Sequence, residues 1–256
     1  MHSEHTYNIF LVVLSFLVSV FGSFVALTLI RAVRTSEAKA KLPWIIAAAF
    51  ALGGGAIWTM HFIGMLAYDM GMPVSYNGPI TLASLIIAVA VVGLGIWVVG
   101  SNDKSTPRLI IAGVLTGIGV ASMHYTGMAA MNGMSSMSYE PFWFSVSIVI
   151  ALVAATAALW LAFHLEGQLQ LMGASIVMGI AVCGMHYTGM YGMLMTHDPN
   201  VLAQQEGIKP MQMGLMIFCF SMLLLVLSLI AALSQLNRRM YEALEAEDDD
   251  EVIARS

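Results

Sequence analysis

Apolar residues in this chain do not alternate with polar ones. They run almost unbroken through seven stretches, at approximately 7–31, 44–66, 80–100, 107–131, 142–164, 170–195 and 212–236. A helix needs about 20 apolar residues to cross a hydrocarbon core of ~30 Å, and each stretch is long enough. Helices are the expected form, because they satisfy their backbone hydrogen bonds internally. A membrane β-barrel would need short alternating segments, which these are not. Pro43 and Pro107 stand at the starts of the second and fourth stretches, where a missing N–H is tolerated. The N-terminus, MHSEHTYN, lacks the basic lead-in of a secretory signal, so the first stretch reads as a retained span. The pattern predicts an all-α, polytopic membrane protein with seven transmembrane helices.

The polar positions inside these stretches recur. The hexapeptide MHFIGM stands at 60–65, and MHYTGM stands at 123–128 and again at 185–190. The histidines are His61, His124 and His186. Gly54, Gly117 and Gly179 each precede a histidine by seven residues, and Gly64, Gly127 and Gly189 each follow one by three. Repetition at a fixed period marks a repeated structural unit. Each period holds two spans, so all copies share one orientation, and same-orientation repeats are related by an axis along the membrane normal. Three two-helix repeats in a pseudo-threefold arrangement are expected, with the seventh helix outside the pattern.

Charge fixes the expected orientation. Arg31, Arg34, Lys39 and Lys41 flank or fill the first loop, Lys104 and Arg108 the third, and Arg238 and Arg239 follow the last span. Loops 67–79 and 132–141 hold no lysine or arginine, and 196–211 holds only Lys209. The positive-inside rule then places the N-terminus outside and the C-terminus in the cytoplasm. His61 lies 18 residues past Pro43 and His124 lies 17 past Pro107. At ~1.5 Å per residue both are about 26 Å from the cytoplasmic side. The chain divides into a membrane domain, 1–237, and an acidic cytoplasmic tail, 238–256, which reads as solvated or disordered or, less simply, as a docking segment for a cytoplasmic signalling partner.

Composition agrees with a bilayer and adds little else. The chain is 59% hydrophobic and 10% charged, with a mean hydropathy of +0.84, whereas soluble domains carry about 25% charged residues. The net charge of −5 sits largely in the tail and gives no reason to expect nucleic acid. Cys183 and Cys219 both lie in apolar spans and form no disulfide framework.

The chemistry centres on the histidines, since ionisable groups at that depth are costly and usually functional. On a helix, Met65, Met128 and Met190 lie about 40° from their histidines, and Tyr68, Met131 and Met193 about 20° to the other side. Met60, Met123 and Met185 point roughly 100° away. Imidazole suits copper, zinc or iron, and thioether favours Cu(I). Further methionines crowd the outer loops (Met70, Met72, Met134, Met137, Met195, Met211, Met213), with His2, His5 and His197. Cys183 precedes His186 by three residues and is a further candidate ligand. A hydrogen-bonded structural histidine and methionine as core filler are the plainer readings. Threefold recurrence of His with methionine and glycine at fixed offsets favours a metal site instead. Copper uptake, storage or delivery is an alternative to sensing. A metalloenzyme is the weakest reading, because Asp69 and Glu140, the nearest carboxylates, sit in outer loops.

The hexapeptide resembles the signature of the MHYT family of bacterial integral membrane sensor domains. The likeness covers residues from about 7 to 236. The first copy departs from it, with Phe62 and Ile63 in place of tyrosine and threonine. The resemblance implies a sensory module of the bacterial cytoplasmic membrane, not an enzyme. It implies copper held by the Met and His residues near the outer face, and sensing of oxygen, CO or NO. Many members carry cyclase, phosphodiesterase or kinase domains on the cytoplasmic side. No such segment follows here, so an output is expected to come from a partner or not to exist.

Overall fold

A computed structural model describes residues 6–35, 41–69, 74–101, 105–132, 136–165, 167–196 and 207–255. Seven helices are long and apolar enough to span a membrane. They are α1 (Ile9–Thr35), α2 (Lys41–Ala67), α3 (Gly78–Gly100), α4 (Thr106–Ala129), α5 (Pro141–His164), α6 (Gln168–Tyr191) and α7 (Pro210–Arg255). The chain is thus a multi-pass membrane protein. His2, His5, His197, Met70, Met72, Met134, Lys39 and Lys104 lie outside the described residues.

The first six helices close a ring in chain order. Each packs on its neighbours in sequence, and α6 packs back on α1. This is the expected pseudo-threefold bundle: α2, α4 and α6 carry the histidines, and α1, α3 and α5 separate them. The seventh helix lies outside the ring against α1 and α2. That contact explains why α2 is the most enclosed span, 83% buried against 56% for α4 and 44% for α6.

Six short strands, which the apolar pattern does not reveal, cap the end where the motif helices finish. They are β1 (Thr6–Tyr7), β2 (Tyr68–Asp69), β3 (Ser75–Tyr76), β4 (Met131–Asn132), β5 (Ser136–Tyr139) and β6 (Met193–Thr196). Each strand leaving a motif helix pairs antiparallel with the strand entering the non-motif helix of the same repeat: β1 with β2, β3 with β4, β5 with β6. The next residue repeats the contact, since the N–H groups of Asn8, Asn77 and Glu140 donate to the carbonyls of Ala67, Ala130 and Gly192, each at 2.8 Å. Asn8 and Asn77 then cap α1 and α3, their side chains accepting from Leu11 N and Ile80 N.

Helix α2 differs from its counterparts. Residues Phe50–Trp58 form a π-helical segment between two α-helical halves. Wider turns of this kind are uncommon and are frequently found at functional positions. They absorb the one extra residue between Pro43 and His61 and keep His61 level with its equivalents. At its far end α7 continues as a single helix through the acidic stretch to Arg255. Residues 238–255 contain neither glycine nor proline, so nothing local interrupts it.

Candidate metal centre

The three histidines meet on the axis of the ring. Nδ1 of His61 lies 3.1 Å from Nδ1 of His186 and 3.1 Å from Nδ1 of His124, and the third side of the triangle is 3.3 Å. The rings stand nearly perpendicular to one another, at 78–88°. All three residues are buried. Among the described residues they are the group of His, Cys, Asp or Glu side chains placed to hold one metal ion.

Each imidazole is set by the glycine of another repeat. A Cβ added at Gly64 would fall on Nε2 of His186, one at Gly127 on Nε2 of His61, and one at Gly189 on Nε2 of His124. The glycine three residues after each histidine is therefore the seat of a neighbouring ring. This contact pattern is cyclic, as a threefold axis requires.

The donor set fits a cation. Each Nδ1 offers either one proton or one lone pair in the ring plane. Three such atoms facing one another cannot pair off one to one, so without a shared cation one is left over. Two nitrogens bound at ~2.0–2.1 Å to a tetrahedral ion lie about 3.3–3.4 Å apart, close to the observed triangle. The Nε2 atoms have no hydrogen-bond partner. Among the described residues no carboxylate or carbonyl therefore orients the rings from behind, as in many metal sites; the glycine seats do so instead.

Aromatic residues pack around the triad, and serines bond to them. Phe62, Tyr125 and Tyr187 each pack edge-on against the preceding histidine. Tyr7, Tyr76 and Tyr139, from the strands, pack against Tyr187, Phe62 and Tyr125 respectively. Burial holds the Tyr7 hydroxyl at about 12, with Tyr68 and Tyr187 adding to the effect. Burial also raises those of Tyr76 and Tyr139, so these three tyrosines are uncharged at neutral pH. Ser15, Ser84 and Ser147 lie eight residues after these tyrosines. Each donates to the carbonyl three residues back, at 2.7–2.8 Å, which leaves its oxygen free to accept. Tyr187 OH is 3.0 Å from Ser15 and Tyr125 OH is 2.6 Å from Ser147. In the first repeat Phe62 has no hydroxyl, and Trp58 Nε1 donates to Ser84 instead, at 2.9 Å.

The methionines divide by position. Met60, Met65, Met123, Met128, Met185 and Met190 are buried within the motif helices. Residues at +7 are not helical: Tyr68, Met131 and Met193 open β2, β4 and β6. The helices end first, so the helical angle assigned to these residues from sequence does not apply. Cys183 is half-buried and outside the histidine cluster. Cys219 is exposed.

A seven-helix membrane bundle with three converging buried histidines is the class that this fold and site define. The chain belongs to the MHYT family, described as a bacterial signalling protein N-terminal repeat, which matches residues 54–112, 117–175 and 179–244. Each match begins at the glycine seven residues before a histidine, so the sequence repeat starts partway along one motif helix; the first two matches end in the next motif helix and the third ends in α7. The bifunctional diguanylate cyclase/cyclic di-GMP phosphodiesterase MucR of Pseudomonas aeruginosa is 43% identical over 190 residues, which is 72% of this chain and 28% of that protein. The signaling protein YkoW of Bacillus subtilis is 34% identical over 231 residues, 86% of this chain and 29% of YkoW. The cyclic di-GMP phosphodiesterase NbdA of P. aeruginosa is 36% identical over 198 residues, 75% of this chain and 25% of NbdA. The chain therefore spans less than a third of the length of these curated relatives. No solved structure matches it.

Proposed function

We propose that this chain is a sensory metal-binding module of the bacterial cytoplasmic membrane. His61, His124 and His186 hold the ion through Nδ1, and copper is the favoured metal. The observation that carries this reading is the triangle of Nδ1 atoms at 3.1–3.3 Å. Met65, Met128 and Met190 supply thioether sulfur on the histidine face and select Cu(I) over zinc or iron. Met60, Met123, Met185, Met131 and Met193 stand behind them as weaker candidates. Copper bound there would supply a soft centre able to take oxygen, CO or NO. The residues of the chain position the imidazoles, exclude water and keep the surroundings uncharged. The relatives' names support a signalling role, with the message passed to a cytoplasmic partner. The loop charges support an outside N-terminus, a membrane domain over 1–237 and a cytoplasmic tail over 238–256; labelling Ser36→Cys and Ser136→Cys from opposite sides tests that orientation.

Metal analysis of purified protein is the deciding experiment. Wild type is expected to carry one ion per chain and His124→Ala none. In a Cu(I) chelator competition, Met128→Leu should lose more affinity than Met123→Leu. Leucine keeps the apolar volume, so a loss is not a packing effect. An unchanged metal content in His124→Ala would defeat the site. Equal affinities in the two methionine variants would reduce the sulfurs to packing.

A further inference from the structure

Beneath the triad, on the side away from the strands, lies a cavity of about 50 Å³. Its lining comes from five of the six ring helices and from the π segment of α2. Ile57, Val120 and Val182, four residues before the three histidines, contribute to it, and so does Met185, next to His186. The chamber thus begins about one helical turn, ~6 Å, from the imidazoles. Its lining holds a single polar side chain, Thr116, whose hydroxyl points to Val91 O at 3.5 Å. Apolar cavities of this kind stay dry and take up xenon or small hydrocarbons.

The chamber has one side that reaches the surface. Four lining residues are not fully buried: Ala154 and Ala158 on α5, and Ala181 and Val182 on α6. All four flank one seam, and both helices are membrane spans, so the seam faces hydrocarbon. Three of the four residues are alanine, so small side chains line the seam. Diatomic gases are apolar and enter the bilayer interior readily, so a molecule of that size reaches the chamber without crossing the strand cap.

We infer that this chamber is a binding site for a small apolar molecule of diatomic size, loaded from the lipid through the α5–α6 seam and held directly under the three histidines. It deepens the gas-sensing part of the proposed function and rests on that reading for its role, though not for its existence. Xenon is the probe. Full-length protein in lipid nanodiscs, with alanine and methionine methyls labelled, is titrated with xenon and followed by NMR. Saturable shifts are expected at the Ala155 and Met185 methyls. Ala158→Leu and Ala181→Leu, at the seam, put bulk into the chamber from opposite helices, so each should weaken xenon binding at least tenfold by filling volume and slow its exchange. Val149→Phe adds bulk on the exposed side of α5 and should leave it unchanged. No saturable shift in wild type, or equal xenon binding in both seam variants, overturns the chamber. Metal content is read on the same samples. A metal-free wild type would defeat the metal reading while leaving a xenon result intact, and the converse holds.

Discussion

At the scale of residues, the departure of the first motif has a compensation built beside it. In the second and third repeats the motif tyrosine donates to a serine of a neighbouring helix. In the first, Trp58 reaches the equivalent Ser84. The positions matching Trp58 are Ala121 and Cys183, neither with an N–H to offer. Trp58→Ala should therefore destabilise the bundle through a cavity and an unfilled acceptor. Adding Phe62→Tyr to that variant recreates the Ala121–Tyr125 arrangement and should restore about 1 kcal/mol. Denaturant unfolding in mixed micelles measures both. If Phe62→Tyr is equally harmful in wild type and in Trp58→Ala, the two residues do not serve one acceptor. The histidines themselves were legible in sequence, because polar residues stand out in apolar runs. Tyr7, Tyr76, Tyr139 and their serines were not, although the eight-residue spacing occurs three times. Serine and tyrosine are common near membrane boundaries, and only their partners give the spacing meaning.

At the scale of elements, the spans were readable to within a few residues, since the bilayer dictates helix length. The strands were hidden, because most are two residues long and show no period. The π segment was hidden too; its trace is the single extra residue between Pro43 and His61. Helix contacts also break the symmetry that the repeat suggests. A Cβ at Gly117 would sit 2.6 Å from Leu152 Cα, against backbone that cannot yield. At the equivalent Gly54 it would meet only side-chain tips, the nearest that of Leu85 at 3.4 Å. Glycine in a helix costs up to about 1 kcal/mol relative to alanine. Gly54→Ala should therefore be neutral or mildly stabilising, whereas Gly117→Ala should push α4 from α5 and lower the unfolding temperature by several degrees. Thermal unfolding followed by circular dichroism separates them. Equal effects would mean that helix propensity, not close approach, governs these positions.

At the scale of the whole molecule, α7 links the site to the far end of the bundle. It is 46 residues long, about 69 Å at 1.5 Å per residue, so well over half of it extends beyond a ~30 Å core. It packs on α2, the motif helix that carries the π segment. The junction is a chain of hydroxyls two residues from His61. Thr59 Oγ1 lies 2.8 Å from Gly54 O and 2.6 Å from Ser221 Oγ, and Ser221 Oγ lies 2.5 Å from Ile217 O. Two hydroxyl protons serve three contacts, so with Thr59 and Ser221 bonded to each other only one of Gly54 O and Ile217 O also receives a hydroxyl proton. In one arrangement Gly54 O, which already accepts the Thr59 N–H, takes the hydroxyl as a second donor; in the other Ile217 O does. A shift of His61 on metal binding would bias that choice, giving the two-state element that coupling between distant sites requires. Spin labels at Leu169→Cys and Tyr241→Cys, with Cys183→Ala and Cys219→Ala as background, report the position of α7. Loading with Cu(I), which is diamagnetic, should change their distance distribution in this otherwise unaltered chain. Thr59→Val keeps the side-chain shape and removes one proton of the pair. It should leave metal content intact and abolish the distance change. If Thr59→Val responds to Cu(I) as the parent does, the hydroxyl chain is packing, and any signal leaves the ring by another contact.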